Sequence, residues 1–448
     1  MSKTKGYGFA YDGNKDTLAV EGNENCYCQD GQVKSGIAFT PLLDVNGDVI
    51  RLASQADTVE EIFPLYIEQS GTVKEYLAIM KDGRGYYYHP TAINNAGAWV
   101  LFNSFGVKMK PLITQDETGK PRTYFCGENG IFYYTNAMNS TAIVKAKPIG
   151  CVYGGRVFVA VSDKKIVYSA SFRFDEYQDT LSDSGHIFLP ESAGGICAMA
   201  VYQNKLYVFC KYGIFEMFAI GDARDFTLKQ LDYQGDRIFG NSVGVCVSNG
   251  VSGIYFYTST GFCVFDGKTI KRICKNVEIQ PSDDENQYHH AEYDGKYQLC
   301  YTTGWGGREA LIINASTGEG YPTFATKGIS TFHKRGYAVV GGIIGVLDEN
   351  AVFPNVGTRS FSCRDVDFGE KGVKTLRTLK VQGVGQTLIT VSDANDEHKK
   401  VTFNVALDGG DTVLKVFMRA ERFHLYFEMD TERKGYIEYV EADYERLR

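Results

Sequence analysis

The chain has 448 residues, 44% of them hydrophobic, with 49 glycines, 30 tyrosines and 28 phenylalanines against 10 prolines, and a formal charge of −7. Its lysines and arginines are dispersed, which excludes the basic face of a nucleic-acid grip, and no apolar run approaches the ~20 residues of a membrane helix. This length exceeds one core, and strand formers joined by glycine turns, without long Ala/Leu/Glu/Lys stretches, predict an all-β protein of at least two domains.

Residues 1–60 are polar and glycine-rich with little periodicity, and read as an extended arm or a partial outer blade that needs something to hold. The opening "MSKTKGYGFAYDGNKD" is basic but lacks a following apolar core, so synthesis and folding in a cytoplasm are expected. The sequons at Asn139 and Asn314 are then chance matches. The eleven cysteines, an odd number, lie mostly in apolar runs such as "YVFCK" and "GFCVF", which predicts buried thiols in a reduced compartment. "CYC" at 26–28 lacks the second half of a zinc site.

From residue 61 to 355 one phrase recurs: apolar strand, short polar or glycine turn, apolar strand. It occurs in "KEYLAIMKDGRGYYYHP", "RTYFCGENGIFYYTN", "GRVFVAVSDKKIVYSAS", "NKLYVFCKYGIFEMFAIG", "GIYFYTSTGFCVFDG", "YQLCYTTGWGGREALIIN" and "GYAVVGGIIGVLDEN". Their turns, at residues 83, 130, 164, 213, 261, 306 and 342, are spaced by 47, 34, 49, 48, 45 and 36 residues. Glycine in such turns supplies the backbone angles a hairpin requires, and periods near 40–50 predict propeller blades. Each hairpin would be the two middle strands of a blade packed on both faces, hence the nearly continuous apolar runs. About seven blades are expected, six or eight being compatible, with Leu206, Val208, Ile214 and Phe215 buried between them. The competing reading is a sandwich with many hairpins.

Past Phe353–Pro354 the strands lengthen and alternate, from "FSCRDVDFG" to "TVLKVFMRAERFHLYFEMD" and "GYIEYVEADYE". Leu376, Thr378 and Lys380 are expected on one face and Arg377, Leu379 and Val381 on the other. Residues 356–448 therefore predict a small C-terminal β-sandwich.

No catalytic residue, cofactor site or metal site emerges. "SDDENQYHH" at 282–290 gathers acids with His289 and His290, but adjacent histidines on a strand diverge, so a polar surface loop is expected. Gly383-Val384-Gly385 opens no helix, fails the dinucleotide-binding context and reads as a turn. "SDSGHIFLP" at 182–190 resembles a sialidase blade turn only in part, and with Trp99 and Trp305 alone the aromatic platforms of sugar-cleaving propellers are thin. A carboxylate pair of a glycosidase could lie anywhere in a chain, and no positive sign of one is present.

Between residues 120 and 448 the order "YGGRVFVAVSDKKIVYSASFRFDEY", "GHIFLPESAGGICAMAVYQNKLYVFCKYGIFEMF" and "RDVDFGEKGVKTLRTLKVQG" resembles the tail-hub and packaged-DNA stabilisation proteins of short-tailed bacteriophages. The features that carry it are Arg156 after the blade-turn glycines, the Tyr168-Ser169 blade end and the 206–215 hairpin, all packing or turn positions. The resemblance implies a non-enzymatic β-propeller virion protein made in a bacterial cytoplasm. It would form a homo-oligomeric ring beside the portal, adaptor and other tail proteins, retain packaged DNA and let it pass without sequence-specific contact or membrane insertion. A host-surface-binding propeller and a carbohydrate-active propeller enzyme are the alternatives.

Overall fold

The computed structural model describes all residues except 1, 12–16, 56, 94–95, 178–182, 234, 249–251, 283, 285–287, 349–357, 431–433 and 447–448. The sequence boundary at Phe353–Pro354 falls outside the described residues. Among the described residues helix is confined to three-residue 3-10 turns such as Glu191–Ala193, and none of their helices is long and apolar enough to cross a membrane.

Seven four-stranded antiparallel sheets form a β-propeller. Blades 1 to 6 are residues 61–104, 109–140, 150–188, 196–230, 244–272 and 289–323, and blade 7 takes three strands from 329–348. Every hairpin read from the sequence joins the second and third strands of its blade. In blade 4, Leu206 pairs with Met217 and Cys210 with Gly213, and Leu206, Val208, Ile214 and Phe215 are all buried. Aromatic side chains fill the seams between blades: Tyr207 meets Phe265 and Phe209 meets Phe256 across blades 4 and 5, and Tyr255 stacks on Tyr297 across blades 5 and 6. That packing accounts for the Tyr and Phe content, because each blade must bury both faces in a layer about 10 Å thick.

The ring closes through the N-terminal part of the chain. Ala38–Pro41 is the fourth strand of blade 7, antiparallel to Ile343–Asp348 with Thr40 opposite Val346. Gly345 makes this possible: a Cβ there would stand 2.3 Å from the Thr40 carbonyl oxygen. The expected partial outer blade is thus realised by four residues, but the arm is not. Ser2–Ala10 pairs along Tyr436–Arg446, and Thr17–Glu24 along Arg359–Val366. Alternate side chains of these strands, Tyr7, Phe9, Leu18 and Val20, enter the core of the second domain. The hydrophobic period was short and interrupted by glycines, which hid it from the sequence.

The second β domain therefore draws on both ends of the sequence. Six strands close on themselves in the order 2–10, 17–24, 359–366, 423–429, 374–393 and 436–446, the last pairing with the first. The strand Lys374–Asp393 runs in both halves of this barrel. Its ends are brought together, since Lys374 Nζ donates to the Glu421 carbonyl and the Ala394 N–H to that of Arg422. Gly383-Val384-Gly385 sits inside this strand and is no terminal turn: Gly385 has φ +114 and a register shift falls at 382–383. Glycine bends the strand without ending its ladder. A second bulge at 376–378 leaves Arg377 unmatched against 436–446 and shifts the phase, so Leu376, Leu379 and Val381 all face the core. The strict alternation expected across 376–381 fails for that reason.

Asn25 and Tyr27 join the domains. The Asn25 N–H donates to the Pro322 carbonyl, its Nδ2 donates to the Ile37 carbonyl, and its Oδ1 accepts from Thr323 Oγ1. Tyr27 stacks on Tyr321 with centroids 5.2 Å apart. Cys26 and Cys28 point the other way into the barrel core, where burial pushes the Cys28 thiol up to about 12. All eleven cysteines are free, and all but Cys151 are buried.

Candidate functional site in the propeller channel

In a propeller the first strand of each blade lines the axis, so polar residues on those strands are brought together from distant parts of the sequence. All seven inner strands or the segments leading into them contribute to one cavity of about 410 Å³. Its polar wall is made by Glu60, Glu61, Lys108, Lys110, His289, His290, Glu292, Ser330 and Thr331, from blades 1, 2, 6 and 7.

Glu61 and Lys110 form an ion pair at 2.8 Å. Burial works against the Glu61 carboxylate, yet the Lys110 ammonium holds it below the ordinary range. Glu60 lacks such a partner: burial raises its carboxyl, and its Oε2 has no hydrogen-bond donor from the protein.

His289 and His290 lie on the inner strand of blade 6 and not on a surface loop. Part of the polar run before them, residues 283 and 285–287, lies outside the described residues. The two imidazoles diverge, as strand geometry requires. Burial, then the nearby Lys108 charge, brings the His289 pKa down to about 4. His290 stacks on the Tyr297 ring, its Nδ1 lies 2.7 Å from the Asn241 carbonyl oxygen, and its Nε2 lies 3.3 Å from Glu292 Oε1. Burial holds the Glu292 carboxyl above its ordinary range, while Thr331 Oγ1 donates to its Oε2 at 3.3 Å and accepts the Glu292 N–H at 2.7 Å. Gly244 makes room for the pair, since a Cβ there would fall 1.6 Å from Glu292 Oε1.

A second, larger cleft of about 1040 Å³ lies between the domains, with Gln32, Lys34 and Tyr436 on the barrel side and Asp294, Asn314 and Asp348 on blades 6 and 7. Among the described residues no three His, Cys, Asp or Glu side chains are grouped to hold a metal ion.

The residues that carry the sequence resemblance are structural. Arg156 Nη1 donates to the carbonyls of Ser169 (3.1 Å) and Asp183, and its Nη2 to the Gly221 carbonyl (3.0 Å) and Asp183 Oδ1. The guanidinium also lies over the Tyr168 and Phe226 rings. The partial sialidase-like turn thus supplies the anion of a buried clamp through Asp183.

No family model and no curated protein matches this chain. Among solved structures it is similar to BamB from Moraxella catarrhalis, with 9% identity and a TM-score of 0.37 over 71% of this chain and 98% of that one. It is similar also to PorZ of the type-IX secretion system of Porphyromonas gingivalis, with 8% identity and a TM-score of 0.38 over 82% of this chain and 56% of that one. A six-bladed fucose-recognising lectin from Aleuria aurantia gives 10% identity and a TM-score of 0.30 over 64% and 96%. The seven-bladed assignment rests on the sheets of this chain itself.

Proposed function

We propose that this protein is a non-catalytic assembly component, a rigid two-domain β scaffold that works by binding copies of itself and neighbouring proteins, in the manner of a short-tailed phage tail hub. The observation that carries the reading is the apolar surface of blades 3 and 4. Phe172, Phe188, Tyr212, Phe218 and Leu228 are all exposed on these two blades, Phe188 and Tyr212 beside the turns that join the second and third strands and Phe172, Phe218 and Leu228 toward the opposite end, and exposed apolar groups of this size are what a covering protein contacts. Polar groups of the channel engage one another, as in the Glu61–Lys110 ion pair and the Glu292–Thr331 hydrogen bonds, and this reading takes them as structural, in keeping with a non-enzymatic role. A 410 Å³ channel suits a small molecule, so in this reading DNA passes through the opening of a ring of subunits and not through a single propeller.

Sedimentation velocity and electron microscopy of the purified chain test the proposal. Ring-shaped oligomers are expected, weakened by Phe188→Asp together with Phe218→Asp at unchanged thermal stability, because both side chains lie outside the blade cores. A chain that stays monomeric at high concentration and captures no tail protein would refute it. The polar cleft between the domains favours the second reading, recognition of a surface glycan, which binding to a glycan array by monomeric protein would favour over assembly.

A further inference from the structure

The strand Thr412–Ala420 is an edge of the barrel. It pairs along Lys374–Val381 on one side, and its other side has no strand partner among the described residues. Leu414, Val416, Met418 and Ala420 enter the core, which leaves Val413, Lys415, Phe417 and Arg419 on the exposed face. Phe417 is 67% exposed and has φ +53, at a bulge where Val416 and Phe417 together stand opposite the single Arg377. That left-handed backbone suits glycine and strains a bulky side chain, yet the sequence places an aromatic ring there, in water. Neighbouring cations are taken up, Arg377 by Glu445 and Lys380 by Asp411 and Glu441, whereas Lys415 and Arg419 make no ion pair among the described residues.

The same combination, with the opposite charge, occurs on blades 3 and 4. Phe172 has φ +56 and is 54% exposed. Its N–H donates to the Gly155 carbonyl, and the adjoining Arg156 donates to that of Gly221, so Phe172 stands beside the end of blade 4 where Phe218 and Leu228 are exposed. Leu228 pairs with Met217 of the core between blades 3 and 4 and so lies on the blade 3 side, while Lys229 alternates to the other face with Glu216. Asp175 follows Phe172 in the chain, and Asp222 and Asp225 follow Phe218, all three exposed, with Arg224 between the last two in sequence. Arg173 and Glu176 form an ion pair, so the patch keeps a negative excess against the two free cations of the barrel edge.

Both patches are placed to meet around a ring. Blades 3 and 4 lie three blades away from blades 6 and 7, nearly opposite them about the propeller axis, and blades 6 and 7 carry the barrel through Tyr321, Pro322 and the strand Ala38–Pro41. The barrel faces the end of blade 6 at which its third strand turns into its fourth, since Asn314 and Ser316 line the interdomain cleft. Phe172 and Phe218 lie at that same end of blades 3 and 4, and none of residues 412–420 lines the cleft. We propose that the edge strand Thr412–Ala420 of one copy docks on the blade 3–4 patch of the next copy, a contact that rests on the assembly reading above and gives it a second surface. Val413 and Phe417 cover Phe172 and Leu228, while Lys415 and Arg419 face Asp175, Asp222 and Asp225. Like charge opposes the symmetric pairing of two barrel edges, so the contact is head to tail and is satisfied for every copy only when the ring closes.

The test is charge exchange in the full chain, read by sedimentation velocity. Lys415→Asp with Arg419→Asp, and separately Asp175→Lys with Asp225→Lys, should each weaken self-association at least about tenfold, because like charges then face each other across the contact. All four substitutions in one chain restore the complementarity and should restore the rings. Phe417→Gly removes the ring and relieves the positive φ, so association should weaken while the melting temperature holds or rises, a combination that loss of fold cannot produce. Wild-type rings that neither charge pair weakens, a fourfold variant that does not recover, or Phe417→Gly assembling like wild type would each overturn this contact and leave the assembly reading standing. A wild-type chain that stays monomeric would overturn both.

Discussion

Replacing Arg156 by Met probes whether the buried clamp of blade 3 acts through its hydrogen bonds. The side chain is 1% exposed, and methionine keeps its aliphatic volume and its contact with the Tyr168 and Phe226 rings. What is lost is the donor set: the Ser169 and Gly221 carbonyls and the Asp183 carbonyl and carboxylate lose their cationic partner. Hydrogen bonds to a charged donor contribute about 1.5–3 kcal/mol each, offset by the relief of a buried guanidinium from desolvation. The Asp183 side chain remains 35% exposed, so water screens the pair and re-solvates the carboxylate once it is freed, which places the cost near the lower end of a broken buried pair, about 3 kcal/mol. Urea unfolding followed by circular dichroism measures it. The Asp183 pKa is held down by Arg156, although partial burial works against this. Stability from the pair is therefore full above the ordinary aspartate pKa and fades as the pH falls through the lowered one, so the gap between wild type and variant should narrow below about pH 4. A variant within about 0.5 kcal/mol of wild type at pH 7 would refute the clamp.

Phe215→Ala removes a buried ring of the blade 3–4 core and should cost about 3–5 kcal/mol; unchanged thermal stability would show that the hairpin is not packed as described. Gly345→Ala pushes a methyl against the Thr40 carbonyl and should loosen the ring closure by about 1–3 kcal/mol, read as faster amide exchange at 38–41. Limited proteolysis of the free chain should leave residues 17–41 intact, because their strands are paired within the protomer; rapid cleavage there would restore a free arm. Because the His289 pKa is depressed to about 4 from an ordinary 6.5, the unfolded chain binds its proton first, and stability should fall as the pH drops from about 6.5 to about 4. His289→Gln should flatten that part of the pH profile, and an unaltered profile would mean that His289 titrates normally.

The sequence by itself determined the blades, because a hairpin is a local object: two apolar runs and a turn residue within about fifteen positions specify it, and seven repeats specify a propeller. It also placed an all-β unit after the propeller, from strands long enough to show a period. Tertiary structure alone decided everything that depended on partners far apart in the chain. A four-residue strand such as Ala38–Pro41 carries too little pattern to reveal that it completes a sheet with residues 343–348. Ser2–Ala10 and Thr17–Glu24 pair with each other over three residues, and their other neighbours in the barrel lie more than 300 positions away. Strict alternation across 376–381 would have put Leu376 on the face opposite Leu379 and Val381, and the bulge at Arg377 brings all three to the core. The channel cluster was illegible for the same reason. His290 read in sequence as part of a polar surface loop, Glu292 and Thr331 carried no signal of their own, and it is ring closure, which stands blades 1, 2, 6 and 7 around one axis, that sets them beside Glu61 and Lys110 in a space too small for their charges to ignore one another.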